Sequence, residues 1–276
     1  MSALQDAAAT AMEWPAPRVS VAVITAGGDV AASAGDQNHR YRLASVTKPL
    51  SAYALLVAIE EGALSLDQPA GPAGSTVEHL LAHTAGYDFS SREVRAEPGK
   101  RRLYSNTGFE VLGDLLESET GIGFDEYARE AVFDPLGMTQ TTIAGSPAAG
   151  GWSTSGDLSR FAAELQQPRL LDRGTLQRAT SVVFPERRGV LPGFGVQEHN
   201  DWGLGFEIRG SKSPHWTGST NSARTFGHFG QAGTFLWVDP EAGAAVVALT
   251  DRPFGEWAAR AWPPFSDGIV AALRAG

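Results

Sequence analysis

The sequence predicts an α/β (α+β) chain with one mostly antiparallel sheet formed from both chain ends, flanking helices, and an inserted all-helical lobe. Two observations carry this. Strand-like runs lie early, at Arg18 to Ile24 and Val30 to Ala34, and again late, from Trp202 to Leu249. Between them the apolar residues mostly recur at helical spacing. The expected division is 1–70 with 190–276 for the sheet and 71–189 for the helical lobe, with the active site at their junction.

In chain order, residues 3–13 predict a short amphipathic helix ended near Pro15. Gly27-Gly28 turns the first strand into the second, giving a hairpin. Pro49 to Ile59 is a long apolar run stopped by Gly62, which predicts a buried helix. Val77 to Ala82 is a short helix. Leu103 to Ser105 is extended, and Asn106 opens a helix whose apolar face is Phe109, Val111, Leu112, Leu115 and Leu116. Another helix runs from Phe124 to Val132, and Asp134 to Met138 forms a turn. Ser155 caps a helix carrying Leu158, Phe161, Ala162 and Leu165, and Arg173 to Ser181 forms one more. Residues 183–200 and 210–223 are expected to be surface loops bordering a site. Strands follow at Trp202 to Ile208, Arg224 to Phe229, Thr234 to Val238 and Ala244 to Leu249, and a helix over 265–274 closes the chain.

The 276 residues can bury a large core, and the apolar content of 42% is that of a globular chain. A net charge of −9 argues against nucleic acid or an anionic membrane as partner. There is no cysteine, so disulfides, thiol catalysis and thiolate metal sites are excluded. The first residues lack the basic region and apolar core of a signal peptide, and no apolar run reaches membrane-spanning length, which predicts a cytoplasmic location.

The chemistry concentrates at Ser45 and Lys48. They sit three residues apart in the first turn of the buried helix, on one face. A serine hydroxyl is a weak nucleophile until a base takes its proton, and a desolvated lysine is such a base. Only Lys48, Lys100 and Lys212 among the 22 basic residues are lysines. Arginine does not give up its proton, so a lysine inside an apolar helix of an arginine-using chain points to proton transfer. The plain structural use of the pair is an N-cap serine and a surface charge. Tyr104-Ser105-Asn106 is a second signal: a phenol and an amide two residues apart on an extended piece face the same way. Its plain use is a buried tyrosine and an N-cap. His228-Phe229-Gly230 is the third, with a glycine that lets a ligand approach a strand; its plain use is a strand end.

Together these resemble the penicillin-recognising serine hydrolases, in the branch of class C β-lactamases, low-molecular-weight DD-peptidases and β-lactamase-like esterases. Ser45-x-x-Lys48, Tyr104-x-Asn106 and His228-x-Gly230 fall in the family's order. Tyr41 to Lys48, Glu78 to Gly86, Pro98-Gly99 and Pro135 to Met138 are similar to its supporting segments. The resemblance runs from about residue 18 to 250. It implies catalysis by Ser45, Lys48 and Tyr104, an oxyanion hole from the backbone N–H groups of Ser45 and Gln231, and Asn106 and His228 on substrate or on the catalytic groups. It treats His79 and His83 as scaffold, so neither a metal nor a cofactor is expected. No Gly-x-Ser-x-Gly elbow points to an α/β-hydrolase.

Three departures bear on substrate. His228 stands where true class C enzymes have lysine. Phe229 stands where they have a hydroxyl, and is expected to form an apolar wall. The cytoplasmic expectation separates the chain from cell-wall peptide. The expected activity is therefore hydrolysis of a small ester or amide. A β-lactamase or DD-peptidase is the alternative, and a non-catalytic sensor or binding module on the same fold is an alternative of another class. The partner expected is a small ester, amide or lactam, with neither nucleic acid nor membrane.

Overall fold

The computed structural model describes residues 2–275. Its elements in chain order are α1 (Ala3–Ala9), β1 (Val19–Thr25), β2 (Val30–Ala34), β3 (Tyr41–Arg42), α2 (Thr47–Glu60), α3 (Val77–Leu81), α4 (Asn106–Thr120), α5 (Phe124–Ala128), α6 (Asp134–Leu136), β4 (Thr142–Ile143) and β5 (Gly151–Ser153). After these come α7 (Ser155–Gln166), α8 (Arg173–Ala179), β6 (Gly189–Leu191), β7 (Gly195–Gln197), β8 (Glu207–Ile208), β9 (Phe226–Gly230), β10 (Thr234–Asp239), β11 (Ala244–Thr250) and α9 (Glu256–Ala275).

The α+β class and the sheet made from both ends are as the sequence predicts. The main sheet runs β2-β1-β11-β10-β9-β8, and each of its pairs is antiparallel. Side chains alternate along each strand, so both faces of the sheet are apolar. Val21, Val23, Phe235, Trp237, Val246 and Ala248 pack on one face with Ala8 of α1 and Trp262, Ile269 and Val270 of α9. Ala22, Ile24, Leu236, Val238, Val247 and Leu249 pack on the other with α2 and α7. The result is a helix–sheet–helix sandwich.

α2 is buried along its length from Thr47 to Ala58. A helix apolar all round has no solvent face, so Lys48 and Ser51 must find partners inside. Pro49 sits in its first turn, where a missing N–H costs nothing.

Several boundaries differ from the sequence expectation. α9 starts at Glu256 rather than near 265 and carries Pro263 and Pro264 inside it; the proline pair reads as a break, but Ala258 and Trp262 anchor the first part in the core. Thr154, not Ser155, caps α7, its side chain accepting from Asp157 N–H. Asp134 to Leu136 continues helically out of the preceding segment, and Gly137 ends it in the left-handed conformation. Only Glu207–Ile208 of the expected Trp202 strand pairs with β9. The 183–200 loop contains the β6–β7 hairpin.

That loop is clamped by Arg102. Its guanidinium is fully buried and donates to the carbonyls of Ala82, Asn200, Val183 and Phe184. It holds no carboxylate within ion-pair distance among the described residues. Replacing Arg102 by methionine strands these carbonyls, and each buried unsatisfied group costs about 1–3 kcal/mol. Arg102→Met should lower the urea midpoint and raise amide hydrogen exchange across 183–200 ahead of the sheet. Exchange rising equally everywhere would count against a local clamp.

Candidate active site

Ser45 is presented by a strained turn. Ala44–Val46 forms one 3-10 turn before α2, and Ala44 has φ 47°, a left-handed conformation that an alanine adopts only when held. Four hydrogen bonds hold it. Leu43 N–H donates to Gly151 O at 2.9 Å. Leu43 O accepts from Thr234 Oγ1 at 2.8 Å. Thr47 Oγ1 donates to Ala44 O at 2.6 Å and accepts from Gly151 N–H at 2.8 Å. Gly230 backs directly onto this turn: a Cβ there would meet Leu43 O at 2.2 Å. That is why a glycine stands at the end of β9.

Lys48 is fully buried. Its Nζ lies 2.6 Å from Asn106 Oδ1, 3.1 Å from Ala148 O and 3.3 Å from Ser45 Oγ. Burial lowers its pKa to about 7, against a smaller opposing effect of Glu110, because desolvation disfavours the ammonium and, among the described residues, no carboxylate lies within ion-pair distance of it. In the neutral amine, Asn106 and Ala148 accept the two N–H groups and the lone pair is left for the Ser45 proton. Ser105, not Asn106, caps α4 by accepting from Gly108 N–H, so the Asn106 amide is free to hold Lys48.

Tyr104 OH lies 2.7 Å from Ser45 Oγ and 3.3 Å from His228 Nε2. Burial raises the phenol pKa, so the group is a proton donor at neutral pH. His228 Nδ1 lies 2.6 Å from Phe229 O. A carbonyl requires a donor, so Nδ1 carries the proton and Nε2 accepts. Burial and the neighbouring Lys48 push the His228 pKa down to about 3. The site is therefore a chain from amine to serine to phenol to neutral imidazole, drawn from α2, the strand before α4, and β9.

Ser45, Tyr104, His228 and Gln231 border one cavity of about 280 Å³, closed otherwise by Phe89, Leu191, Pro192, Trp202, Glu207 and Phe229. Among the described residues, neither the Ser45 nor the Gln231 N–H has a protein acceptor, and both are available to an oxyanion. Phe229 borders this cavity but is only 3% exposed. Its ring packs against Phe254, Phe194, Trp216 and Trp262 at 4.9–6.1 Å, so it seats the β6–β7 loop as much as it walls the pocket. A larger open groove of about 920 Å³ near the start of α7 contains none of the motif residues.

Sequence reasoning left several participants unassigned. His83 is buried, with Nδ1 accepting from Ser105 N–H at 3.2 Å and its ring 4.7 Å from that of Tyr104. Ala148 O and Glu207 carried no motif at all. His79 Nδ1 meets Thr76 Oγ1 at 2.9 Å.

The family model described as Beta-lactamase matches residues 6–267. The chain belongs to the β-lactamase family. Members of the β-lactamase family are serine hydrolases. A crystal structure of a β-lactamase from Mycobacterium bovis is 53% identical, covers 95% of this chain and 97% of its own, and superposes with a TM-score of 0.93. Penicillin-binding protein 4* of Bacillus subtilis is 26% identical over 139 residues, 38% of this chain and 31% of that protein. A putative D-alanyl-D-alanine carboxypeptidase of Escherichia coli K12 is 24% identical over 208 residues, 57% of this chain and 46% of that protein. The chain thus spans less than half the length of these two β-lactamase-family relatives.

The Lys48 geometry has a pH consequence. A base must be unprotonated, so hydrolysis should rise with pH through about 7. Stability should follow the same sign. Between about 7 and the model-compound value of 10.5 the unfolded chain holds the extra proton, so this group's burial penalty is relieved as pH rises. Lys48→Arg, which keeps charge but gives up no proton, should lower kcat at least about 100-fold. A flat profile from pH 5 to 9 would remove Lys48 as base.

Proposed function

We propose that this β-lactamase-family chain hydrolyses a small ester or amide through a Ser45 acyl-enzyme. The observation that carries it is Ser45 Oγ held 2.7 Å from Tyr104 OH and 3.3 Å from the amine of fully buried Lys48. Lys48 takes the Ser45 proton as Oγ bonds to the substrate carbonyl carbon. The oxyanion is held by the N–H groups of Ser45 and Gln231. As the carbonyl–heteroatom bond breaks, Tyr104 donates its proton to the leaving group and regains one from Lys48. Water then attacks the acyl-enzyme by the reverse proton path, releasing the acid and restoring Ser45. Asn106 orients Lys48, Tyr104 donates to Ser45 Oγ, and the His228 ring packed against Tyr104 holds the phenol in line.

The preference for an ester or amide over a lactam rests on the pocket wall. Among the described residues no lysine or arginine lines the cavity, and His228 is neutral, so no lining side chain pairs with a substrate carboxylate. The names of the relatives favour a second reading, a β-lactamase or DD-peptidase. A sensor module is the less supported one, because the proton path is complete.

One assay set separates these. The protein should turn over p-nitrophenyl acetate and butyrate faster than nitrocefin or a D-Ala-D-Ala peptide. The reverse order would establish the second reading, and an adduct that never turns over would establish the sensor. Ser45→Ala should abolish both turnover and labelling by a fluorophosphonate. Tyr104→Phe should reduce kcat by about 100-fold or more with little change in KM.

A further inference from the structure

The cavity holds one charged side chain that the hydrolytic steps do not use. Glu207 lines it and is 1% exposed. Its Oε1 lies 2.9 Å from His215 Nε2 and 3.3 Å from Lys212 Nζ. Its Oε2 accepts from Trp216 Nε1 at 2.9 Å. A carboxylate offers about four lone-pair sites, so three donors leave one on Oε2 open. Lys212 does not line the cavity. Its ammonium is 2% exposed and is spent on Glu207 and on the carbonyls of Asp201 and Ile208. The ion pair is therefore oriented, with its negative end at the pocket and its positive end behind the wall. Lys212 and His215 hold Glu207 ionised, its pKa lowered to about 2.

The strand geometry explains the placement. Glu207 pairs with Gly227 across β8 and β9, and side chains alternate along β9, so Glu207 lies on the Phe229 face rather than the His228 face. Gly227 has no side chain to cover it. Among the described residues, none of the other groups lining the cavity hydrogen-bonds the Glu207 carboxylate, which leaves the remaining lone pair to a ligand.

We propose that Glu207 is a specificity-determining residue that receives a protonated amine on the substrate, so that the pocket selects cationic over neutral and anionic substrates. This rests on the Ser45 reading, since the pocket is the one Ser45 opens into. A charge-assisted hydrogen bond is among the stronger polar contacts a ligand can make, whereas a carboxylate placed there faces a like charge, because the Lys212 ammonium is behind Glu207 and outside the cavity lining.

The test uses three meta-substituted phenylboronic acids of near-equal size, carrying aminomethyl, methyl or carboxylate. Each adds to Ser45 Oγ through boron, the hydroxyl proton passing to Lys48. Inhibition constants are measured against p-nitrophenyl acetate in salt high enough to screen the net charge of −9. The aminomethyl compound should bind at least about tenfold tighter than the methyl one, and the carboxylate weakest. Glu207→Gln should flatten the order. Because that change strands Lys212, Glu207→Gln with Lys212→Met is the second variant, and the wild-type comparison stands without either. Three equal constants in the wild type would overturn the role of Glu207 and leave the Ser45 reading intact. An order unchanged in the double variant would also overturn it. No inhibition by any of the three, with turnover retained in Ser45→Ala, would overturn the reading of the site itself and this inference with it.

Discussion

The constraint on which the rest depends is an amine buried with no carboxylate in contact. α2 is buried from Thr47 to Ala58, and Lys48 within it is fully buried. An ammonium there would carry a desolvation cost of several kcal/mol, and losing the proton removes most of it. The neutral amine still needs acceptors for its N–H groups, and these come from far along the chain. Asn106 is available because Ser105 takes the capping duty of α4. Ala148 O is fixed because Ser51 Oγ, one turn along α2, donates to Pro147 O at 2.7 Å. Ser146 Oγ then accepts from Ala148 N–H at 3.1 Å. The same helix that desolvates the lysine thus anchors the loop that satisfies it.

The two histidines of the site are held neutral as well: His228 and His83 both have pKa values lowered first by burial and next by the charge that Lys48 carries when protonated. Both imidazoles are therefore neutral with an assigned tautomer: His228 accepts through Nε2, and His83 accepts the Ser105 N–H through Nδ1. Protonating either would turn an acceptor beside Tyr104 into a donor. The phenol directs its one proton at Ser45 Oγ and is otherwise packed among the rings of His83, Phe89, Trp202 and His228. The strain at Ala44 is held by bonds from β5, α2 and β10, so Ser45 is fixed by the sandwich rather than by its own loop, and His83 beside Tyr104 is left-handed as well, with φ 56°.

How much of this was legible follows from distance along the chain. Ser45 with Lys48, and Tyr104 with Asn106, are close in sequence, so a local pattern names them. The central strands were legible because alternation and turn glycines are local. Glu207 is one letter in a short strand, and only pairing beside Gly227 gives it a pocket. Ala148 contributes a carbonyl, which no side-chain pattern reports. The first half of α9 was hidden by Pro263-Pro264, although Ala258 and Trp262 bury their side chains against the sheet regardless. β3, β4 and β5 are too short for any periodicity, and yet Gly151 in β5 braces the turn that presents Ser45. Phe229 was legible as apolar but not as a member of an aromatic cluster whose other rings come from residues 194–262.

The division of labour between lysine and arginine also becomes sharper. Two of the three lysines, Lys48 and Lys212, are buried, and Lys100 is exposed. Arg102 is buried as well, so burial alone does not distinguish them. The difference lies in what surrounds each cation. Arg102 stays charged, and its planar fork reaches four carbonyls from three segments, a geometry that a point-like ammonium cannot span. Lys212 stays beside a carboxylate, and its charge sets the direction of the Glu207 pair. Lys48, unlike Lys212, has only neutral acceptors and a serine hydroxyl around it, and burial there lowers its pKa to about 7. The scarcity of lysine is a clue to chemistry because arginine does not give up its proton and so could not take the part proposed for Lys48.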